Sequence, residues 1–131
     1  MRSACRRRER KAPPSPYAGI AAAVPVTFGY AKAPEHGVHW YFGGVLRELL
    51  QRSSIAKHEI DGLVVASYRL APDHSASLAE YLGLSLRPAV DLPFGGASGA
   101  IALRRAARAV QAGDAEVVAC IAADVPPKDA S

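Results

Sequence analysis

The chain has 131 residues and lacks the sequence features of disulfide-rich, metal-binding and membrane-spanning proteins. Its only cysteines are Cys5 and Cys120. They are too few for a disulfide framework, and neither has the spacing of a metal-ligand motif. No apolar run reaches the roughly 18 residues that a membrane-spanning helix needs. These absences predict a protein of the cytoplasm, a reducing compartment, with no membrane partner.

Basic charge is also scarce once the first residues are set aside. Residues 1–11 hold six basic side chains and one acidic one, whereas residues 12–131 hold 10 basic and 11 acidic ones. A nucleic-acid-binding domain usually spreads its basic residues over a folded face. We therefore expect no nucleic-acid partner. Half of the residues are hydrophobic (50%), which predicts a folded core.

Residues 1–16 predict a disordered, basic and proline-rich leader. The arginine run is followed by residues 12–16 (APPSP), which favour neither a helix nor a central strand. An export signal is the weaker interpretation, because the apolar stretch at 18–26 is short and is interrupted by Pro25. We expect residues 17–131 to form one domain.

That domain shows alternating strand and helix patterns. Strands are predicted at 18–24, 60–67, 88–92 and 116–123, and helices at 38–52, 75–83 and 98–112. The residues predicted to line the apolar helix faces are Trp40, Val45, Leu46, Leu49 and Leu50 in the first helix and Ile101, Leu103, Ala106 and Val110 in the third. Ser75 is the predicted N-cap of the second helix, and glycines at 83 and 113 end the second and third. The order predicts an α/β fold with a mostly parallel sheet.

The candidate site is the glycine-rich turn at residues 95–99, between the third strand and the third helix. A helix N-terminus exposes backbone N–H groups and the positive end of the helix dipole. Such a place binds anions or stabilises an oxyanion. The serine-hydrolase elbow, the dinucleotide-binding fingerprint and the P-loop lysine are all absent. The alternative interpretation is that these glycines only let helix and strand pack closely.

Read in order, the motifs resemble the N-terminal portion of the thiolase superfamily. Five segments carry the resemblance: residues 24–29 (VPVTFG), 60–67 (IDGLVVAS), 77–84 (SLAEYLGL), 96–99 (GASG) and 112–118 with 122–124 (AGDAEVV and AAD). Together they span about residues 18–128. The resemblance implies an incomplete half of a thiolase-like αβαβα arrangement, so the domain is expected to be truncated at its C-terminal end.

The chain departs from the family at the catalytic position. Gly96 stands where the family has its nucleophilic cysteine, and glycine offers no nucleophile. We therefore assign no catalytic residue. Ser98 is interpreted as a helix-capping hydroxyl, and Cys120 as a small core residue. The family's later histidine and second cysteine have no counterpart in this chain.

The resemblance implies a protein that acts on acyl-CoA thioesters, forming or cleaving C–C bonds, and inactive as this fragment. The substrate-binding residues would be Gly95, Gly96, Ala97, Ser98 and Gly99. The thioester would be the substrate, with no separate cofactor. The full-length protein would be a homodimer, and the missing cysteine suggests a non-classical branch that works with a partner carrying an OB fold and a zinc ribbon. The isolated chain is expected to aggregate, because faces meant for the second half would be exposed.

Other interpretations of the residues stay open. The chain could be a non-catalytic module that binds acyl-CoA or a partner, or a small nucleotide-binding α/β protein with a basic arm. His36 and His39 form an HxxH pair without a third ligand, so no metal is expected, and His58 and His74 are interpreted as solvated loop residues. The arginines at 104, 105 and 108 fit either the phosphates of coenzyme A or a solvated helix face.

Overall fold

The computed structural model describes residues 17–20, 36–67, 74–92 and 97–124 of the chain. Its helices are α1 (Val38–Ser53), α2 (His74–Leu82) and α3 (Ser98–Gln111), with a 3₁₀ turn at Lys57–Glu59. Its strands are β1 (Gly62–Ala66), β2 (Ala89–Asp91) and β3 (Val118–Ala122). All strand pairs are parallel, in the order β2-β1-β3. The prediction of an α/β fold with a parallel sheet is confirmed.

Two of the predicted segments fall partly or wholly outside this description. The leader at 1–16 lies outside the described residues. Of the first predicted strand, 18–24, residues 18–20 are exposed and belong to no strand, and the rest lies outside the described residues. The other three predicted strands and all three predicted helices are present, with ends that differ by no more than two residues from the predicted ones.

The sheet separates two layers of helices. On one face, Leu63 and Val65 of β1 pack with α1 and α2 in a core that includes Phe42 and Leu78. On the other face, Val64 packs against Ala102 of α3. Successive residues of β1 thus point to opposite faces, and both faces are covered. This is why the strand is apolar without interruption.

The two crossovers between strands lie on opposite faces of the sheet. The connection from β1 to β2 passes through α2, and the connection from β2 to β3 passes through α3 on the other face. The direction across the sheet also reverses between them, so both crossovers have the same hand, as the rule for parallel sheets requires. The helix that follows β1 and the helix that follows β2 therefore lie on opposite faces of the sheet.

The predicted apolar faces need correction in two helices. In α1 the buried residues are Val38, Phe42 and Leu46, which form one i, i+4 row, whereas Trp40 is 44% exposed. Trp40 lies two positions from this row and therefore points away from the sheet. Val45, Leu49 and Leu50 are only half-buried, at the margin of the core.

In α3 the same kind of row is buried. It consists of Ser98, Ala102 and Ala106, while Leu103 is 51% exposed, so the prediction for Leu103 is wrong. Small side chains on this row let α3 lie close to the sheet. Leu103, one of the two largest apolar side chains of the helix, therefore does not face the sheet. Ile101 and Val110 are half-buried, and Ala106 is buried as predicted.

Glycine ends α2 and α3 as predicted. Gly83 has φ +66° and Gly113 has φ +77°, which is the left-handed region that glycine adopts without strain. After α2, the Leu84 N–H donates to the Ala79 carbonyl; after α3, the Asp114 N–H donates to the Ala109 carbonyl. Both ends are Schellman motifs, which satisfy carbonyl groups that the helix itself leaves unpaired.

A buried carboxylate ties the amino edge of the sheet together. Asp61 directly precedes β1 and is 8% exposed. Its carboxylate accepts the Glu116 N–H at 3.0 Å and the Val117 N–H at 2.9 Å, just before β3. Its own N–H donates to the Val117 carbonyl, and its carbonyl accepts the Arg87 N–H. One residue therefore joins the starts of β1 and β3 and the segment before β2.

The next residue, Gly62, is required by close packing. A Cβ at this position would lie 2.9 Å from Cγ2 of Val118 and 3.3 Å from both Cβ of Ala115 and Cγ of Pro88. The first of these distances is shorter than van der Waals contact allows. The Asp61–Gly62 pair, which looks like a simple turn in the sequence, is a tight structural junction.

The two outer strands of the described sheet differ in length and exposure. β2 has three residues, of which Ala89 and Asp91 are exposed, and Pro88 comes immediately before it. β3 has five residues, all apolar, and its Ala119 and Ile121 are buried. None of the described helices has the length and apolar character that a bilayer crossing requires.

Candidate functional site

The carboxyl ends of the three strands meet at one edge of the sheet. β1 ends beside β3, with Ala66 paired to Ala122 and the Ala123 N–H donating to the Ala66 carbonyl. β1 also ends beside β2, where the Leu92 N–H donates to the Val65 carbonyl at 2.8 Å. In open α/β sheets, ligands bind beyond this edge, where the connecting loops diverge. Here α2, which follows β1, and α3, which follows β2, lie on opposite faces of the sheet.

On the β1–β3 side of this edge, a serine is hydrogen-bonded to an aspartate. Ser67, the residue after β1, is buried and donates its hydroxyl hydrogen to the Asp124 carboxylate at 2.9 Å. Asp124 follows β3 by two residues and is exposed. The hydrogen bond holds the Asp124 carboxylate at the carboxyl edge of the sheet, and one of its oxygens accepts the hydrogen of the buried Ser67 hydroxyl.

A second carboxylate caps α2 from the neighbouring strand. Asp91, the last residue of β2, accepts the Ser75 N–H at 2.8 Å and the Ser75 hydroxyl at 2.8 Å. Ser75 was predicted as the N-cap, but α2 begins at His74, so Ser75 lies inside the first turn. Asp91 therefore supplies a capping group to the first turn of α2. A carboxylate satisfies first-turn N–H groups and interacts favourably with the helix dipole.

The junction from β2 to α3 contains the predicted substrate-binding residues. Gly95 and Gly96 lie outside the described residues. Ala97 is exposed at the N-cap position and makes no side-chain capping bond. Gly99 is exposed, with open space where a Cβ would be, so close packing does not explain this glycine.

Ser98 plays a different role from the predicted one. It is the first residue of α3 rather than its cap, it is 5% exposed, and its hydroxyl donates to the Leu92 carbonyl at 3.3 Å. The bond ties the start of α3 back to the end of β2. The first-turn N–H groups of α3 are thereby held at the carboxyl edge, where a helix N-terminus can receive an anion or a polarised carbonyl oxygen.

The described cysteine is not placed as a nucleophile. Cys120 lies in the middle of β3, is half-buried, and packs against the α3 side of the core. Its Sγ lies 3.7 Å from the Ala102 carbonyl oxygen. Burial raises the pKa of the Cys120 thiol, because a thiolate would lose solvation there. Cys120 therefore packs against the core, although it is half-buried and not one of the buried core residues.

The histidines contact aromatic and hydroxyl groups. His36 stacks on Trp40 with ring centroids 4.0 Å apart, whereas His39 lies 5.4 Å from the Tyr81 ring and hydrogen-bonds to the Ser77 hydroxyl at 3.3 Å. The HxxH pair therefore faces two different sets of neighbours. Within the ranges that the structure describes, no three metal-ligating side chains come together.

The remaining two histidines fall in helical turns. His58 is exposed within the 3₁₀ turn at Lys57–Glu59. His74 is the first residue of α2 rather than a loop residue, so that part of the prediction is wrong.

Three aspartates with defined roles were missed by sequence reasoning: Asp61, Asp91 and Asp124. Each stands at the end of an apolar strand run, Asp61 before β1 and the other two at the ends of β2 and β3. That position is a usable signal, because a carboxylate beside a strand end can reach the backbone of the neighbouring element. Their partners lie 16 to 57 residues away in the chain.

Comparison of the chain with family models, with curated proteins and with solved structures finds no match. The thiolase resemblance therefore rests on the ordered sequence motifs, and it stays a prediction.

Proposed function

We propose that this chain is the N-terminal part of a thiolase-like protein that binds acyl-CoA thioesters at the β2–α3 junction. The observation that carries the proposal is the position of that junction. β2 ends and α3 begins at the carboxyl edge of a parallel sheet, with Ser98 bonded back to Leu92. This is the edge at which α/β proteins bind ligands. The family resemblance places its nucleophile segment in the same junction.

The chemistry open to these residues is binding and polarisation. A thioester carbonyl placed at the start of α3 would accept hydrogen bonds from first-turn N–H groups, which stabilise negative charge on its oxygen. Gly96 supplies no nucleophile, so no acyl group is transferred to the chain itself. The proposed role of the described part is therefore to hold the thioester, and a C–C bond step requires residues that this sequence does not contain.

Binding is tested by titrating the full chain with acetyl-CoA in a calorimeter. The informative variant is Gly99→Asp, because an acidic side chain in the first turn is compatible with the helix yet competes for its N–H groups and repels an anionic ligand. The matched control is Gly99→Ala, which adds a Cβ into open space. We expect the aspartate to weaken binding at least tenfold, about 1.4 kcal/mol or more, and the alanine to leave it within about twofold. Absence of binding, or equal binding by the aspartate variant, would overturn the proposal.

The family position of the nucleophile is tested by restoring it. In Gly96→Cys, the thiolate would attack the thioester carbonyl of acetyl-CoA, the C–S bond to coenzyme A would break, and free coenzyme A would leave. Mass spectrometry of the protein should show one acetyl group on residue 96. The control variant is Ala97→Cys, one residue further on, and both variants retain Cys5 and Cys120. Equal acetylation at positions 96 and 97 would argue against a defined nucleophile position.

The wider assembly follows from the same resemblance. We propose a homodimer for the full-length protein, a partner with an OB fold and a zinc ribbon, and a location in the cytoplasm. Each of these statements depends on the family assignment, so acetyl-CoA binding is the experiment that comes first.

A further inference from the structure

Three aromatic rings contact one another at the start of α1. His36 stacks on Trp40 with ring centroids 4.0 Å apart, and Tyr41 lies edge-on to both rings, 6.4 Å from His36 and 5.1 Å from Trp40. His36 is exposed and Trp40 is 44% exposed. The buried row of α1 faces the sheet on the other side of the helix from Trp40, so the indole is displayed to solvent.

A fourth exposed ring continues this surface on α2. His39, which directly precedes Trp40, lies edge-on to the ring of Tyr81 at 5.4 Å, and Tyr81 is 58% exposed. We call the surface formed by His36, Trp40, Tyr41 and Tyr81 the aromatic surface. The two helix segments that carry it, 37–46 and 74–84, contain no lysine or arginine, and their one acidic residue is Glu80. Exposed groups of large aromatic side chains are typical of interaction surfaces.

The chemistry of this surface selects arginine as its partner. The faces of aromatic rings attract cations. Guanidinium is planar and weakly hydrated, so it stacks on such rings better than an ammonium group does. Residues 2–10 contain five arginines and one glutamate, which is a concentration of guanidinium groups without parallel in the rest of the sequence. This segment lies outside the described residues.

The connection between the two is long enough for them to meet. Residues 12–35 join the basic leader to His36, and these 24 residues span up to about 80 Å when extended. A small domain has a diameter of about 30 Å. The arginine segment can therefore reach the aromatic surface of its own chain.

We propose that the arginine segment at residues 2–10 docks on the aromatic surface of α1 and α2 in the same molecule. Each exposed cation–π contact contributes only about 0.5–1 kcal/mol, so docking requires several arginines acting together. The covalent connection favours docking further, because it gives the segment an effective concentration in the millimolar range. The inference is independent of the proposed function, since α1 and α2 lie on the opposite face of the sheet from α3.

The test uses Trp40, which is the only tryptophan of the chain, as a reporter of its own surface. Fluorescence quenching by acrylamide, a neutral molecule, measures how accessible the indole is. The full chain is compared with a variant that carries Arg2→Gln, Arg6→Gln, Arg7→Gln, Arg8→Gln and Arg10→Gln. We expect the quenching constant to rise at least about 1.5-fold in this variant, because glutamine lacks the cation–π attraction. The control, Arg52→Gln with Arg87→Gln, removes two exposed arginines outside the segment and should leave the constant unchanged.

A second comparison ties the effect to the aromatic surface. Tyr81→Ala removes one exposed ring of that surface, so neutralising the arginine segment should raise the quenching constant by less in the Tyr81→Ala chain than in the parent. The matched control is Leu103→Ala, which removes an exposed apolar side chain from α3 and should leave the effect of neutralisation at its full size. Added salt should raise the quenching constant of the parent chain towards that of the neutralised variant, because salt screens the remaining charge attraction.

Three results would overturn the inference. The first is equal quenching in the parent and the neutralised chain. The second is an effect of neutralisation that is the same with and without Tyr81. The third is a quenching constant that falls as protein concentration rises, because the occupant would then be the arginine segment of a second copy.

Discussion

The two edges of the sheet hold their carboxylates in opposite ways. At the amino edge, Asp61 is buried and its carboxylate accepts two backbone N–H groups that directly precede β3. At the carboxyl edge, Asp91 and Asp124 are exposed and bind hydroxyl groups or the first turn of a helix. The amino edge is thus held together by the backbone hydrogen bonds that one buried aspartate accepts. The carboxyl edge keeps its acids at the surface, where loops and ligands can reach them.

The largest loss of stability is expected when the hydrogen bonds of Asp61 at the amino edge are removed. Asp61→Ala leaves the N–H groups of Glu116 and Val117 without their carboxylate acceptor, so the free energy of unfolding should fall by about 3 kcal/mol. Urea unfolding followed by circular dichroism measures it. The control is Asp114→Ala, an exposed aspartate two residues before Glu116. Equal losses in the two variants would contradict the structural role of Asp61.

A methyl group at the same edge tests its packing. Gly62→Ala places a Cβ within 2.9 Å of Val118, and overpacking of this kind costs about 2 kcal/mol. The comparison is Gly99→Ala at the carboxyl edge, where the added Cβ meets open space and helix propensity improves by about 0.5–1 kcal/mol. Thermal unfolding of both variants should show opposite shifts. A destabilised Gly99→Ala variant would mean that the two edges do not differ in packing.

Neutralising Asp91, at the end of β2, should have a smaller effect on the free energy of unfolding. Asp91→Asn retains an oxygen acceptor for Ser75 but removes the negative charge at the start of α2, which costs about 1 kcal/mol or less. Glu80→Gln removes an exposed charge near the other end of α2 and should not destabilise. Chemical unfolding of both variants compares the two helix ends. A larger loss in Glu80→Gln would contradict capping by Asp91.

The smallest effect on stability is expected at alkaline pH. It comes from the thiol of Cys120, which lies in the middle of β3. Burial raises the folded-state pKa of Cys120, so the folded chain retains the thiol proton at pH values where the unfolded chain has lost it. Stability is therefore unaffected below the unfolded-state pKa and falls as pH rises through the folded-state pKa. Urea unfolding at neutral and alkaline pH should show this decrease, and Cys120→Ala should remove part of it. An identical decrease in the variant would assign it to other groups.

The features of this fold that depend on residues adjacent in the sequence are predictable from the sequence. The apolar run at 60–67 and the glycines at 83 and 113 are local signals, and the strand and both helix ends lie where these signals place them. The buried helix rows were not predictable in the same way. Phe42 is buried while Trp40 is exposed, and Ala102 is buried while Leu103 is exposed, so hydrophobicity alone does not identify the helix face that meets the sheet.

The polar contacts of the site are the least predictable part. The sequence predicts that Ser98 caps its own helix, yet its hydroxyl donates to the Leu92 carbonyl. The first turn of α2 is capped by Asp91, which lies 16 residues from Ser75. Such bonds join elements that meet only after the sheet has formed. The glycines identify the junction between β2 and α3 in the sequence. The side-chain contacts that hold the junction in place can be identified only from the three-dimensional structure.

The outer position of β3 has a consequence for the chain in concentrated solution. A strand at the edge of a sheet can pair with a strand of another molecule, and charged residues or proline usually prevent this. Within the described residues, β2 is short and follows Pro88, whereas β3 presents five apolar residues and no charge. Of the two outer strands of the described sheet, β3 is therefore the one at which intermolecular pairing should begin. Its last residue, Ala122, is exposed, so Ala122→Lys is the single change that would keep separate molecules apart without touching the core.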